Sequence, residues 1–208
     1  MASQNASSKA QMSKETLLPA LAAHVLEHGL GAASLRPLAK AAGTSDRMLV
    51  YHFGKRDELI REVLDYISGV YSAALDAAMG EERANTRQDV LAKILGHMRE
   101  PAMQPFLSLW WEIVAGAARG SESHRDAAKQ MMDRLLNWLV EQMPEGDPDP
   151  NGGARYLLTL AEGAQMLGTI GHGDTAREGL LASEFASEFA SEFDSEFDSE
   201  LAGKLASD

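Results

Sequence analysis

The sequence contains no cysteine, which excludes disulfides, thiolate nucleophiles and cysteine-ligated metals and suits a reducing compartment. No apolar run approaches the ~20 residues that a membrane-spanning helix needs. The opening stretch, MASQNASSKAQMSKE, lacks the apolar core of a secretory leader, so a soluble, cytoplasmic protein is expected. Runs of alternating β-branched residues are also missing, which removes the signature of half-buried strands and leaves an all-α chain. No nucleophile, base and orienting residue form a catalytic set, and no paired carboxylates stand out. The expectation is therefore a protein that is not an enzyme and needs no cofactor. GHGDTA at 171–176 imitates a dinucleotide loop, but it follows a helical stretch and lies in no βαβ unit. It reads better as a helix–helix loop, with Thr175 and Glu178 as a capping box. His24 and His28, one helical turn apart, read as polar residues of a first helix rather than as metal ligands.

Basic residues are scarce over most of the chain, and where they are found is informative. The formal charge is −12 over 208 residues. Residues 1–60 nevertheless hold seven Lys/Arg against five Asp/Glu, and the rest hold twelve against twenty-six. An anion-binding surface, if the chain has one, is N-terminal.

That end carries closely spaced helix signals. SKETLLPALAAHVLEHG puts Leu17, Leu21, Val25 and Leu26 on one face and stops at Gly29. Ser34 is placed to cap a short second helix, LRPLAKAA, which tolerates Pro37 in its first turn, where backbone amides lack intrahelical acceptors. Gly43 ends it, and Thr44 or Ser45 caps a third helix running to about Phe53. Two short helices joined by a glycine-containing turn, with another packed across them, form the pattern of a helix-turn-helix. The third helix is too short to be stable alone, so Leu49 and Phe53, four apart, are its expected inward anchors. Asp46, Arg47, Val50 and the edge of Tyr51 then face outward. Thr44 and the helix N-terminus offer a hydroxyl and free amides to a phosphate, and Tyr51, His52, Lys55 and Arg56 add donors at the other end.

The run SLRPLAKAAGTSDRMLVYHFGKRDELI resembles the DNA-binding domain of the tetracycline-repressor (TetR-like) family. The resemblance lies in its Leu-Arg-x-Leu-Ala segment, its glycine turn, its Tyr-x-Phe helix end and the Lys-x-x-Leu start of the next helix, and it spans roughly residues 14–62. It implies phosphate contacts at Thr44, Tyr51, His52 and Lys55 and groove-facing positions at Asp46, Arg47 and Met48, with Arg36 and Ser45 counted among the DNA-binding residues. Met48 stands where many relatives have threonine, and Val50 where many have an aromatic. Arg47 is the first choice for base readout, because arginine bonds bidentately to guanine O6 and N7. An arginine that meets only phosphate is the competing reading.

The remaining chain reads as further helices continuing without a linker. KRDELIREVLDYISGVYSAALDAAM marks Leu59, Val63, Ile67, Val70 and Leu75 as a buried side. Thr86 and Asp89 form a capping box for QDVLAKILGHM. PFLSLWWEIVAGAARG sets Leu107, Trp110, Trp111, Val114 and Ala118 in one stripe, with Ser108, Glu112 and Arg119 elsewhere. SHRDAAKQMMDRLLNWLVEQM carries two apolar rows, one through Ala128, Met131, Leu135, Trp138 and Leu139, the other through Met132, Leu136, Val140 and Met143. After the loop PEGDPDPNGG, ARYLLTLAEGAQMLGTIG places Leu157, Leu160, Ala161, Ala164, Leu167 and Gly168 on one face.

The extra apolar row and the small residues point to a homodimer interface through Leu136, Val140, Leu157, Leu160, Ala164 and Leu167. Met98, Met103, Phe106, Trp110 and Met131 are candidates to enclose a small apolar or amphipathic effector, although such residues at helical spacing are more often plain core. The expected organisation is an N-terminal arm over 1–10, a three-helix DNA-binding domain over 11–60, a larger ligand-binding and dimerisation domain over 61–181 joined to it by a shared helix, and an acidic tail over 182–208 repeating every four residues around Phe185, Phe189, Phe193 and Phe197. The function this implies is a ligand-responsive repressor that binds a double-stranded, pseudo-palindromic DNA operator as a homodimer and is released by a small-molecule inducer. A helical small-molecule carrier or a protein-binding adaptor, neither binding DNA, stands as the alternative.

Overall fold

The computed structural model describes residues 13–80 and 83–182; the expected N-terminal arm and the four-residue repeats lie outside the described residues. Within them the chain is all-helical, as the missing strand signals imply. It comprises α1 (Lys14–His28), a 3-10 turn η1 (Leu30–Ala32), α2 (Leu35–Ala41), α3 (Asp46–Phe53), α4 (Arg56–Met79), α5 (Arg87–Met98), a second 3-10 turn η2 (Pro101–Met103), α6 (Gln104–Ala118), α7 (Glu122–Gln142), α8 (Pro150–Thr169) and α9 (Gly173–Leu181). No described helix is long and apolar enough to cross a membrane.

Packing gathers these elements into two compact units, residues 13–73 with Ala102–Arg134, and Ala74–Pro101 with residues 135–182. Packing therefore draws a different line from the division expected at residue 60: α6 and the first half of α7 group with the helix-turn-helix. The core of the first unit includes Leu17, Leu21 and Val25 of α1, Leu38 of α2, Leu49 and Phe53 of α3, Leu59, Val63 and Ile67 of α4, and Leu109 and Ile113 of α6. At about 1.5–3 kcal/mol for each fully buried large apolar side chain, this shared core is what holds helices of seven and eight residues in place.

In the second unit α5 packs on α8, and α8 on α9. The Thr86 capping box forms as expected: the Thr86 amide donates to Asp89 Oδ2, and the Asp89 amide donates to Thr86 Oγ1, each at 3.1 Å. Arg87, the first residue of α5, clamps Asp147 through two 2.6 Å hydrogen bonds and donates a third, 3.0 Å long, to the Asp149 carbonyl. The guanidinium beside Asp147 holds that carboxyl below its ordinary range.

Four expectations are corrected. Val70 is 41% exposed, because a buried row that advances in steps of four turns about 40° around the helix per step and has moved off the face Val70 occupies. In α6 the buried residues are Leu109, Ile113 and Gly116, one notch from the predicted stripe, whose members are half-buried or, at Ala118, exposed. The segment from Pro150 to Gly153 is not loop but the first turn of α8. Asp149 occupies the N-cap and accepts from the Gly152 amide at 2.9 Å, and Pro150 fits a first turn that needs no donor. Finally, α9 begins at Gly173 with His172 at its N-cap, so Thr175 lies inside a helix and caps nothing.

Candidate nucleic-acid interface

The eight residues of α3 are set by a cap at one end, a glycine at the other and two anchors between. Ser45 adopts extended backbone and accepts the Met48 amide at 3.3 Å, satisfying one of the donors that a helix start leaves open. Of the two residues proposed as cap, Ser45 is the one used. The Thr44 amide instead closes the preceding turn on the Ala39 carbonyl at 2.9 Å. Leu49 and Phe53 are 0% and 3% exposed, the anchors that their four-residue spacing predicts. Gly54 then turns with φ +81°, a conformation that L side chains rarely adopt, and a Cβ there would run into the Glu58 carboxylate.

Fixing those anchors sets where the other side chains lie. Asp46, Arg47, Val50 and Tyr51 are exposed, Tyr51 at 79%. Ser45, Lys55 and Arg36 are also exposed, while Thr44, Met48 and His52 are half-buried. An aromatic residue left so open on a helix anchored from behind has no part in the core. Its ring meets His52 edge-on at 5.1 Å, and His52 Nε2 has no hydrogen-bond partner among the described residues. Asp46 at the first helical position complements the positive end of the helix dipole.

Ser34 occupies the N-cap of α2 as expected, but its side chain makes no capping bond. The placement of α2 rests on contacts absent from the sequence reading. Arg56 Nε donates to the Ala33 carbonyl at 3.0 Å, so the first residue of α4 grips the entry to α2. The Lys55 amide donates to Glu58 Oε2 at 2.7 Å, and Lys55 is exposed. The Lys55–Glu58 spacing, an acid three residues into a helix, was the available signal. No such signal marked Arg56.

The effector candidates are distributed between the two units. Met103, Phe106, Trp110 and Met131 fall in the first and Met98 in the second. Phe106 and Met131 pack against the first unit's core, and Phe106 lies 5.7 Å from the Tyr71 ring. Within that unit a cleft of about 720 Å³ opens between α4, α6 and α7, with Ile60, Leu64, Ile113 and Met131 among its lining residues. Met131 is the effector candidate that lines it. Among the dimer candidates, Leu157 is 0% exposed and so belongs to the core of the single chain, whereas Leu136, Val140, Leu160, Ala164 and Leu167 are only half-buried.

Residues 17–63 match the family model for bacterial regulatory proteins of the tetR family. The HTH-type transcriptional regulatory protein RaaS of Mycobacterium tuberculosis is 24% identical over 148 residues, a match covering 67% of this chain and 63% of that protein. The fold is that of a TetR transcription regulator from Haloarcula marismortui, with TM-score 0.56 and 19% identity over 86% of this chain and 96% of the other. It is also that of the multidrug binding protein EbrR, solved with imidazole, with TM-score 0.57 and 19% identity over 80% and 87%. The capped, doubly anchored α3 lies inside the segment that the family model matches, so residues 17–63 are similar to the DNA-binding segment of bacterial regulatory proteins of the tetR family.

Proposed function

We propose that this protein is a ligand-responsive repressor, cytoplasmic and without enzymatic activity, that binds a pseudo-palindromic operator as a homodimer and releases it when a small apolar or amphipathic molecule binds the helical domain. The observation that carries the DNA-binding half is α3 itself. It is held by Leu49 and Phe53 with Asp46, Arg47 and Tyr51 left in solvent, and Arg36, Arg47 and Lys55 have no ion-pair partner among the described residues. Arg47 and its neighbours Asp46 and Met48 read base edges. Thr44, Tyr51, His52, Lys55 and Arg36 hold phosphates, and Ser45 caps the helix that presents them. Two such helices in successive major grooves stand about 34–36 Å apart.

Assembly through Leu136, Val140, Leu160, Ala164 and Leu167 is supported by the apolar surface that these residues keep in the single subunit. A ligand site drawing on Met103, Phe106, Trp110 and Met131 of the first unit is supported by their adaptable chemistry, and EbrR, a fold relative, is a multidrug binding protein. The test is selection of bound sequences from random duplexes, followed by gel shifts at graded salt. Enrichment of an inverted repeat with a steep salt slope is the expected outcome. Recovery of no sequence, together with salt-insensitive retention of small apolar molecules, would favour a carrier instead.

A further inference from the structure

Helix α6, QPFLSLWWEIVAGAA, contains a single charged residue, Glu112. By spacing alone it belongs to the exposed side of an apolar helix. It is in fact half-buried, and both of its carboxylate oxygens are engaged by η1, the turn between α1 and α2. The Leu30 amide donates to Glu112 Oε2 at 2.8 Å and the Gly31 amide to Oε1 at 3.0 Å. The approach is close. Gly29, at φ +76°, has no side chain to obstruct it, and a Cβ there would lie 2.7 Å from Glu112 Oε2. Backbone amides at the start of a three-residue turn have no partners within it, and a carboxylate is the acceptor that forms the stronger, charge-assisted bonds.

We infer that Glu112 is a positioning residue for operator binding: from α6 it fixes η1, and through η1 the setting of α2 and α3. The inference rests on the DNA-binding reading above. Two residues, Ala33 and Ser34, separate η1 from the first turn of α2, and α2 has no side-chain cap of its own. Its entry is held by Arg56 on the Ala33 carbonyl and by Glu112 on the two amides just before it. Removing the carboxylate leaves the core of α1–α3 intact but gives the helix pair one fewer tie. A looser pair loses affinity through the extra freedom it must surrender on binding, and it tolerates half-sites at other separations.

The test compares wild type, Glu112→Ala and Glu112→Gln on the selected operator and on versions with one base pair added or removed between half-sites, with thermal melts and light scattering as controls on folding and assembly. Glu112→Ala is expected to bind the selected operator roughly tenfold more weakly, equivalent to about 1.4 kcal/mol, and to discriminate less against the altered spacings. Its salt slope stays unchanged, because the phosphate contacts remain the same in number. Glu112→Gln, isosteric and still an acceptor, falls between the two, and it carries the comparison if the alanine variant unfolds. A folded variant with wild-type affinity and undiminished spacing discrimination overturns the inference. Failure of the wild type to select any DNA overturns the regulator reading, and with it this one.

Discussion

Arg47 and Lys55 are both exposed cations, yet the proposed interface gives them different work. Guanidinium geometry matches the two acceptors on a guanine edge, whereas an ammonium on a flexible stem is a point charge for a phosphate. Arg47→Ala should cost about 1–3 kcal/mol on the preferred operator and relax selectivity at one base position per half-site. Lys55→Ala should weaken all sequences alike and reduce the slope of log affinity against log salt by about one. Binding of single-base operator variants, titrated at three salt concentrations, checks both. A uniform loss for Arg47→Ala would move it to the phosphate-contacting set. Behind them, Leu49→Ala should destabilise the protein by about 2–5 kcal/mol, as a fully buried leucine leaves a cavity. That loss would show in a thermal melt as well as in DNA binding, unlike the surface variants.

At the scale of elements, the Arg87–Asp147 clamp joins the start of α5 to the α7–α8 loop. Asp147 is 2% exposed at its side chain and Arg87 29%, so solvent screens the pair far less than it would a surface pair. Arg87→Ala leaves a buried carboxylate without its partner and should cost about 1.5–3 kcal/mol. The pH dependence has a fixed sign. Hydrogen bonding to Arg87 lowers the folded-state pKa of Asp147 beneath its ordinary 3.8, so the stabilisation is complete above that value and is lost as pH falls through the lowered one. Melting curves between pH 6 and about pH 2 should therefore show a steeper acid loss for wild type than for Arg87→Ala; parallel curves would mean that the pair contributes nothing.

This clamp also shows where reading the sequence stopped. Local signals were legible: the Thr86–Asp89 box, the Leu49–Phe53 pair, the glycine stops after α1 and α2, and with them the fold class and the short third helix. Arg87 with Asp147, Arg56 with Ala33 and Glu112 with η1 join residues 23 to 82 positions apart, and no periodicity encodes such partners. Composition misled at Pro150–Gly153, because Pro, Asn and Gly suit a loop as well as they suit a first turn whose cap, Asp149, lies just outside. The stripe in α6 was misplaced by one position, because a helix apolar nearly all round leaves its buried face unmarked.

Along the sequence, charge is segregated. The surplus of basic residues lies within the first 60 positions and the acidic excess follows, so the proposed contact with DNA is favoured over the first segment and opposed over the rest. In the proposed reading a single half-site offers few phosphate contacts and little base readout, so operator affinity would depend on two copies engaging at once, the second binding at the high effective concentration set by the first. Leu160 and Leu167 are half-buried in α8 and belong to the apolar surface proposed to meet a second copy. Glutamate at either position would bury an unpaired charge on assembly, a cost of several kcal/mol, and two-fold symmetry would bury it twice. Leu160→Glu and Leu167→Glu should therefore be folded monomers by light scattering, with operator affinity reduced at least a hundredfold and half-site affinity unchanged. The half-site measurement separates loss of assembly from damage to α3. If both variants remain dimers with wild-type operator affinity, the interface lies elsewhere on the subunit, and the exposed Ile170, Met166 and Tyr156 become the next positions to charge.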